Sequence, residues 1–170
     1  FSPQKGYLHL LDTFALVHAA NPAAMLLIVG DGVMRPEMEA KIAALGQGGY
    51  VKLLGLRSDV SRLLAAADLY VNASLWEGLP IAHLEAMMAG LPVAVTAVGD
   101  VPRLVIEGTG LLVPAQKPDE LARVILTLLA DPTRRVKMGR AAQKYVQQHY
   151  SAAVWFEKLL NLYQQAGARA

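Results

Sequence analysis

Short runs of consecutive apolar residues alternate with longer stretches in which apolar residues recur every three or four positions, and this alternation predicts strands and helices in turn. The runs "AMLLIVG" (24–30), "YVKLLG" (50–55), "DLYVNAS" (68–74), "LPVAVTA" (91–97) and "GLLVP" (110–114) read as strands. Most are apolar throughout rather than at every second position, which is the pattern of a parallel sheet covered on both faces. The stretches 6–20, 35–45, 58–67 and 80–89 read as helices. Ser58 is placed to cap the third, and Pro80 at the first position with Gly90 just past the end bounds the fourth. After Pro114 the pattern is purely helical, over roughly 118–130, 132–148 and 151–166, and these helices are expected to pack back on the sheet.

Strand and helix alternating in this order predict an α/β fold: a doubly wound, mainly parallel, Rossmann-like sheet with a C-terminal helical extension, forming one domain over residues 1–170. Its ligand crevice belongs at the carboxyl ends of the strands.

Composition adds exclusions. An apolar content of 54% in 170 residues is ample for a core, and no apolar run reaches the length of a membrane span. The formal charge of +2, read as spread without a basic run, gives no electrostatic case for nucleic acid or an anionic membrane surface. With no cysteine there are no disulfides or thiolate metal sites. His9, His18, His83 and His149 lack metal-ligand spacing, so no metal site is expected, and His83 is placed across its helix from the apolar stripe. Asp31 in "GDG" reads as turn chemistry, and the six methionines as core filling. The chain opens at Phe1 without a methionine or a leader, so a natural start upstream is expected.

The segment "EGLPIAHLEA" (77–86) carries the candidate chemistry. At about 100° per residue, Ile81, Leu84, Met87 and Met88 share one broad face of the helix, and Glu85 projects beside Ile81 and Met88. A carboxylate starting on the buried side needs a protein cation or a polar ligand that donates hydrogen bonds, and the helix alone leaves both open. Glu77, with Gly78 and Leu79, lies in the strand-to-helix loop at the crevice. The helix that begins there aims its unpaired N–H groups at the crevice, which suits phosphate oxygens, and Gly78 lets the backbone come close to a ligand.

The stretch "EGLPIAHLEAMMAGLPV" resembles the E-x7-E segment of the retaining, nucleotide-sugar-dependent glycosyltransferases of group 1 (family 4), whose GT-B architecture sets two α/β domains face to face. "SPQKG", "LLIVGDG", "VKLLGLRSDV", "AADLYVNAS" and "GLLVPAQKPDELA" resemble other segments of that family's C-terminal domain, in order, across residues 2 to 150. The resemblance implies a donor-binding half-enzyme. Lys5 matches the lysine on the donor diphosphate, Glu77 the glutamate beside the transferred sugar, and Glu85 the glutamate that accepts from the ribose hydroxyls. Gly78 and Leu79 match residues whose N–H groups meet the sugar or phosphates, and Leu56 and Arg57 a loop at the nucleobase.

The implied donor is an NDP-sugar, with UDP the expected base and GDP the alternative. No metal or cofactor is expected, and the implied partner is an acceptor-binding N-terminal domain of the same protein. The implied location is the cytoplasm, with peripheral attachment at the inner face of the cell membrane through that domain. The family's first strand and its arginine are not in this chain, which predicts a gap or open edge in the sheet. Asp100 and Arg103 stand where relatives carry a second glycine and a glutamate, and "IEGTGLLV" is one residue short. A noncatalytic nucleotide-sugar-binding module is the alternative reading. A nicotinamide-dependent oxidoreductase fits poorly, because the turn from Gly30 to Arg35 lacks a third glycine.

Overall fold

The computed structural model describes residues 1–167. Five strands, β1 (Leu26–Val29), β2 (Val51–Gly55), β3 (Tyr70–Asn72), β4 (Val93–Thr96) and β5 (Gly110–Val113), alternate with helices α1 (Tyr7–Ala20), α2 (Arg35–Ala44), α3 (Val60–Ala66), α4 (Ile81–Met88) and the single turn α5 (Val101–Leu104). The helices α6 (Pro118–Ala130), α7 (Pro132–Tyr150) and α8 (Ala152–Gly167) follow. All five expected strands are present, and every pairing is parallel. Sequence patterning did not anticipate α5, whose one turn is too short to show a helical period.

The sheet is in two pieces, β1–β2 and β3–β4–β5. β4 lies between two partners and is buried along its whole length, which is why "VAVT" carries no polar alternation. One apolar cluster joins Leu11, Phe14 and Val17 of α1 to Leu26 and Ile28 of β1, Ala94 of β4 and Ile125 and Leu128 of α6. It therefore spans both pieces. The other face packs Ala86 and Met87 of α4 against Val93 and Val95 of β4 and Ala142 and Val146 of α7. The expected break in the sheet is present: among the described residues β1 pairs only with β2 and β3 only with β4, so each has an open edge. The segment before α1 connects the ends of these strands. Phe1 packs beside Gly30, and the Gln4 carbonyl accepts from Leu75 N–H at 2.8 Å.

The C-terminal helices differ from expectation in one respect. α6 buries Leu121, Ala122, Ile125 and Leu128, and α7 buries Met138, Ala142 and Val146. The Asp131 side chain caps α7 by accepting from Arg134 N–H at 2.8 Å. α8 instead buries nothing, and its Trp155, Phe156, Leu162 and Tyr163 are exposed. Charge is also less evenly spread than the net value suggests: α7 carries Arg134, Arg135, Lys137, Arg140 and Lys144 with no acidic residue. Arg135 is turned inward, donating to the Leu128 and Leu129 carbonyls that end α6.

Two helix caps differ from those expected. Asp59 rather than Ser58 precedes α3, and Pro80 is the N-cap of α4 rather than its first residue.

Candidate functional site

The site forms where β3 ends. Asn72 closes the strand by accepting the Ser74 N–H on its side chain at 2.8 Å, and the Thr96 hydroxyl at the end of β4 donates to the Ser74 carbonyl at 2.6 Å. With its backbone held on both sides, Ser74 directs its hydroxyl to Glu77 Oε1 at 2.7 Å. Lys5 Nζ donates to the same oxygen, also at 2.7 Å. Gln4 Nε2 donates to the Trp76 carbonyl at 3.0 Å and lies 3.5 Å from Glu77 Oε2. Lys5 and Glu77, 72 positions apart in sequence, thus form an ion pair in which the carboxylate side chain is 5% exposed and the lysine 34%.

Gly99 shapes the other side of the loop. Its φ is 54°, and a Cβ there would collide with the Glu77 carbonyl. Gly99→Ala is therefore expected to cost more than the penalty of about 1 kcal/mol for placing alanine at positive φ. Gly46, at φ 65° with open space around it, supplies the control. Urea unfolding should show Gly99→Ala at least about twice as destabilising as Gly46→Ala. Equal losses would mean that the close approach does not hold the Glu77 loop.

Gly78 faces open space and Leu79 is half exposed, so the loop that leads into α4 is accessible to a ligand. The amino end of α4 carries the positive end of its dipole to this place. Glu85, further along α4, lines a groove of about 540 Å³ together with Val60, Ser61 and Leu64 of α3 and Tyr150 of α7.

The buried setting expected for Glu85 is not found: the residue is exposed. The buried face of α4 is made by His83, Ala86 and Met87, while Ile81 is 60% and Met88 36% exposed, so the carboxylate between those two is open to solvent. It needs no protein cation. His83, expected opposite the apolar stripe, lies on the packed face and is 1% exposed. Its Nδ1 is 3.4 Å from the Tyr70 hydroxyl, and its Nε2 has no partner among the described residues. Burial lowers its pKa to about 4, so the ring is neutral; nearby Glu77 opposes that shift and Lys5 adds to it. Burial likewise raises the hydroxyls of Tyr7 and Tyr70, and the charge of Glu77 reinforces both shifts. Tyr70 also feels Glu85, so it lies within electrostatic reach of both glutamates.

The remaining candidates stand apart from the ion pair. Leu56 is 83% exposed, and Arg57 is bound to Asp59 through Nε at 2.8 Å and Nη2 at 2.7 Å. Asp31 accepts from Gly32 N–H and Arg35 Nε, the turn role expected of it, and these bonds hold its carboxyl below the usual range. Asp100 and Arg103 pair with each other at 3.2 Å on the surface. Ser74, Gln4 and Thr96 were missed by sequence reasoning. Ser74 lies in a short polar cluster after an apolar strand, which reads as a turn, Gln4 precedes the first helix, and Thr96 reads only as the end of its strand.

A parallel α/β sheet with a lysine–glutamate pair at its strand ends, beside a helix amino terminus, defines a Rossmann-like domain. The family profile described as "Glycosyl transferases group 1" matches residues 1–145, and the chain belongs to that family. It is 36% identical over 171 aligned residues to a GDP-mannose-dependent monoacylated alpha-(1-6)-phosphatidylinositol monomannoside mannosyltransferase of Corynebacterium glutamicum, covering 95% of this chain and 44% of the relative. The structure of Anabaena HepE in complex with UDP matches with a TM-score of 0.90 at 29% identity, over 96% of this chain and 46% of that one. Sucrose-phosphate synthase from Thermosynechococcus elongatus matches with a TM-score of 0.89 at 30% identity, over 99% and 44%. The fold is that of the GT-B glycosyltransferases, and the chain spans less than half the length of these relatives.

Proposed function

We propose that this chain is the donor-binding domain of a retaining glycosyltransferase that moves a sugar from a nucleoside diphosphate sugar to an acceptor held by a second domain of a longer protein. The observation that carries this reading is the Lys5–Glu77 pair at the strand ends, beside the accessible Gly78–Leu79 loop and the amino end of α4. Lys5 and the helix terminus neutralise the diphosphate as the glycosidic bond breaks, which supplies positive charge without a metal. Glu77 faces the transferred sugar, and the exposed carboxylate of Glu85 takes the ribose hydroxyls. Solvent-exposed Glu85 thus finds its partner in the ligand rather than in the protein. Leu56 borders the base.

UDP is the proposed nucleotide, supported by the UDP complex of HepE, while the GDP-mannose dependence of the Corynebacterium relative makes GDP the competing choice. The open edges of β1 and β3 suit one further parallel strand, supplied from ahead of Phe1.

Calorimetry with UDP and GDP tests the reading directly. The domain is expected to bind one of them, and Glu85→Ala is expected to weaken that binding by about 1.5 to 3 kcal/mol through loss of a charged acceptor for paired hydroxyls. Unchanged affinity in a folded Glu85→Ala variant would remove Glu85 from the site.

A further inference from the structure

Ser74 has a more constrained setting than a strand end requires. It is fully buried, its N–H is bound by Asn72 and its carbonyl by Thr96, and its hydroxyl donates to Glu77 Oε1. Lys5 donates to that same oxygen, whereas among the described residues Oε2 has only the long contact from Gln4. Oε1 therefore has two donors, and one of them is the cation assigned above to the diphosphate. An ammonium that turns toward phosphate oxygens leaves the carboxylate behind. A carboxylate side chain only 5% exposed cannot recover that loss from water, so its orientation then depends on the remaining donor.

We propose that Ser74 is a positioning residue that holds Glu77 toward the sugar of a bound nucleotide sugar once the diphosphate draws Lys5 out of its resting ion pair. This rests on the donor-site reading. The ion pair and the loaded site are alternative states for Lys5, while the Ser74–Glu77 bond is common to both. Glu77 is kept in one place across the exchange, and the site needs no rearrangement of the carboxylate when the donor arrives.

The test compares nucleotide with nucleotide sugar on this chain by calorimetry, using UDP against UDP-glucose and GDP against GDP-mannose. Ser74→Ala is expected to raise the Kd for the sugar-bearing ligand about tenfold while the Kd for the matching diphosphate stays within about twofold. Ser74→Cys keeps the volume, weakens the donor and should give the same selective loss. In a Glu77→Ala background, which removes the acceptor of the Ser74 hydroxyl, Ser74→Ala should add nothing. Equal weakening toward both ligands would assign Ser74 to fold support alone, and no weakening toward either would also overturn the proposal. Lys5→Ala is the separate control on the donor-site reading and should weaken both ligands alike. If it does not, the diphosphate role of Lys5 fails even where Ser74 behaves as expected. Wild type binding none of the four ligands would overturn the donor-site reading and this proposal with it.

Discussion

Glu77→Gln in the longer protein is expected to reduce sugar transfer by about 10²- to 10³-fold while this domain keeps its affinity for UDP or GDP. The substitution preserves the shape of the side chain and leaves an amide oxygen to accept from the Ser74 hydroxyl. It removes the negative charge. Only an interaction that is stronger in the transition state than in the ground state raises the rate, and a carboxylate beside a sugar ring gaining oxocarbenium character meets that condition. Diphosphate binding has no reason to weaken, because Lys5 is released from its ion pair by the same change. It should hold or tighten. Turnover in the longer protein and calorimetry on this domain separate the two effects. Normal turnover in the variant would remove Glu77 from the reaction, and a parallel loss of nucleotide affinity would place it at the diphosphate instead.

The elements were legible where their signal is local. β4 reads as a strand because it is covered on both faces, and α6 reads as a helix because Leu121, Ile125 and Leu128 recur along one face. The face of α4 was legible only in part. Of the expected stripe of Ile81, Leu84, Met87 and Met88, Met87 is buried and Leu84 packs partly against the core, but Ile81 and Met88 are exposed, and His83 and Ala86 complete the packed side. What decides the matter is α7, which crosses α4 and whose Gln143 side chain donates to the Met88 carbonyl from 55 positions away. A helix of eight residues has too few turns for periodicity to outweigh such a neighbour.

The candidate site divides in the same way. Lys5, Glu77 and Glu85 are singled out in the sequence by segments that resemble a known family, and the Lys5–Glu77 pair brings two of them together. Ser74, Gln4 and Thr96 reach the site through bonds between the ends of different elements; Gln4 and Ser74 lie within segments that resemble the family, but no spacing or residue type there distinguishes them from their neighbours. α8 shows the opposite limit. Its amphipathic pattern correctly gives a helix, but the expected packing of its apolar side on this domain does not occur.

Acid is expected to destabilise this domain through His83. The folded value of about 4 lies below the ordinary histidine value of 6.5, so as the pH falls the unfolded chain takes up the proton first. Stability fully present above about pH 6.5 is therefore lost progressively down to about pH 4, amounting to about 3 kcal/mol over that window. The ring cannot easily accept the charge where it stands. It is buried against Tyr70, and although Glu77 would favour the imidazolium, Lys5 opposes it. His83→Leu should flatten this part of the pH profile. At neutral pH the variant should be as stable as wild type or more so, because it removes a buried nitrogen that has no hydrogen-bond partner among the described residues. Urea unfolding of both proteins at about pH 7 and about pH 4.5 measures the difference. Parallel losses in the two would move the acid sensitivity to other groups. A variant that unfolds at neutral pH would show instead that the His83–Tyr70 contact is needed to seat α4, and with it Glu85, against the sheet.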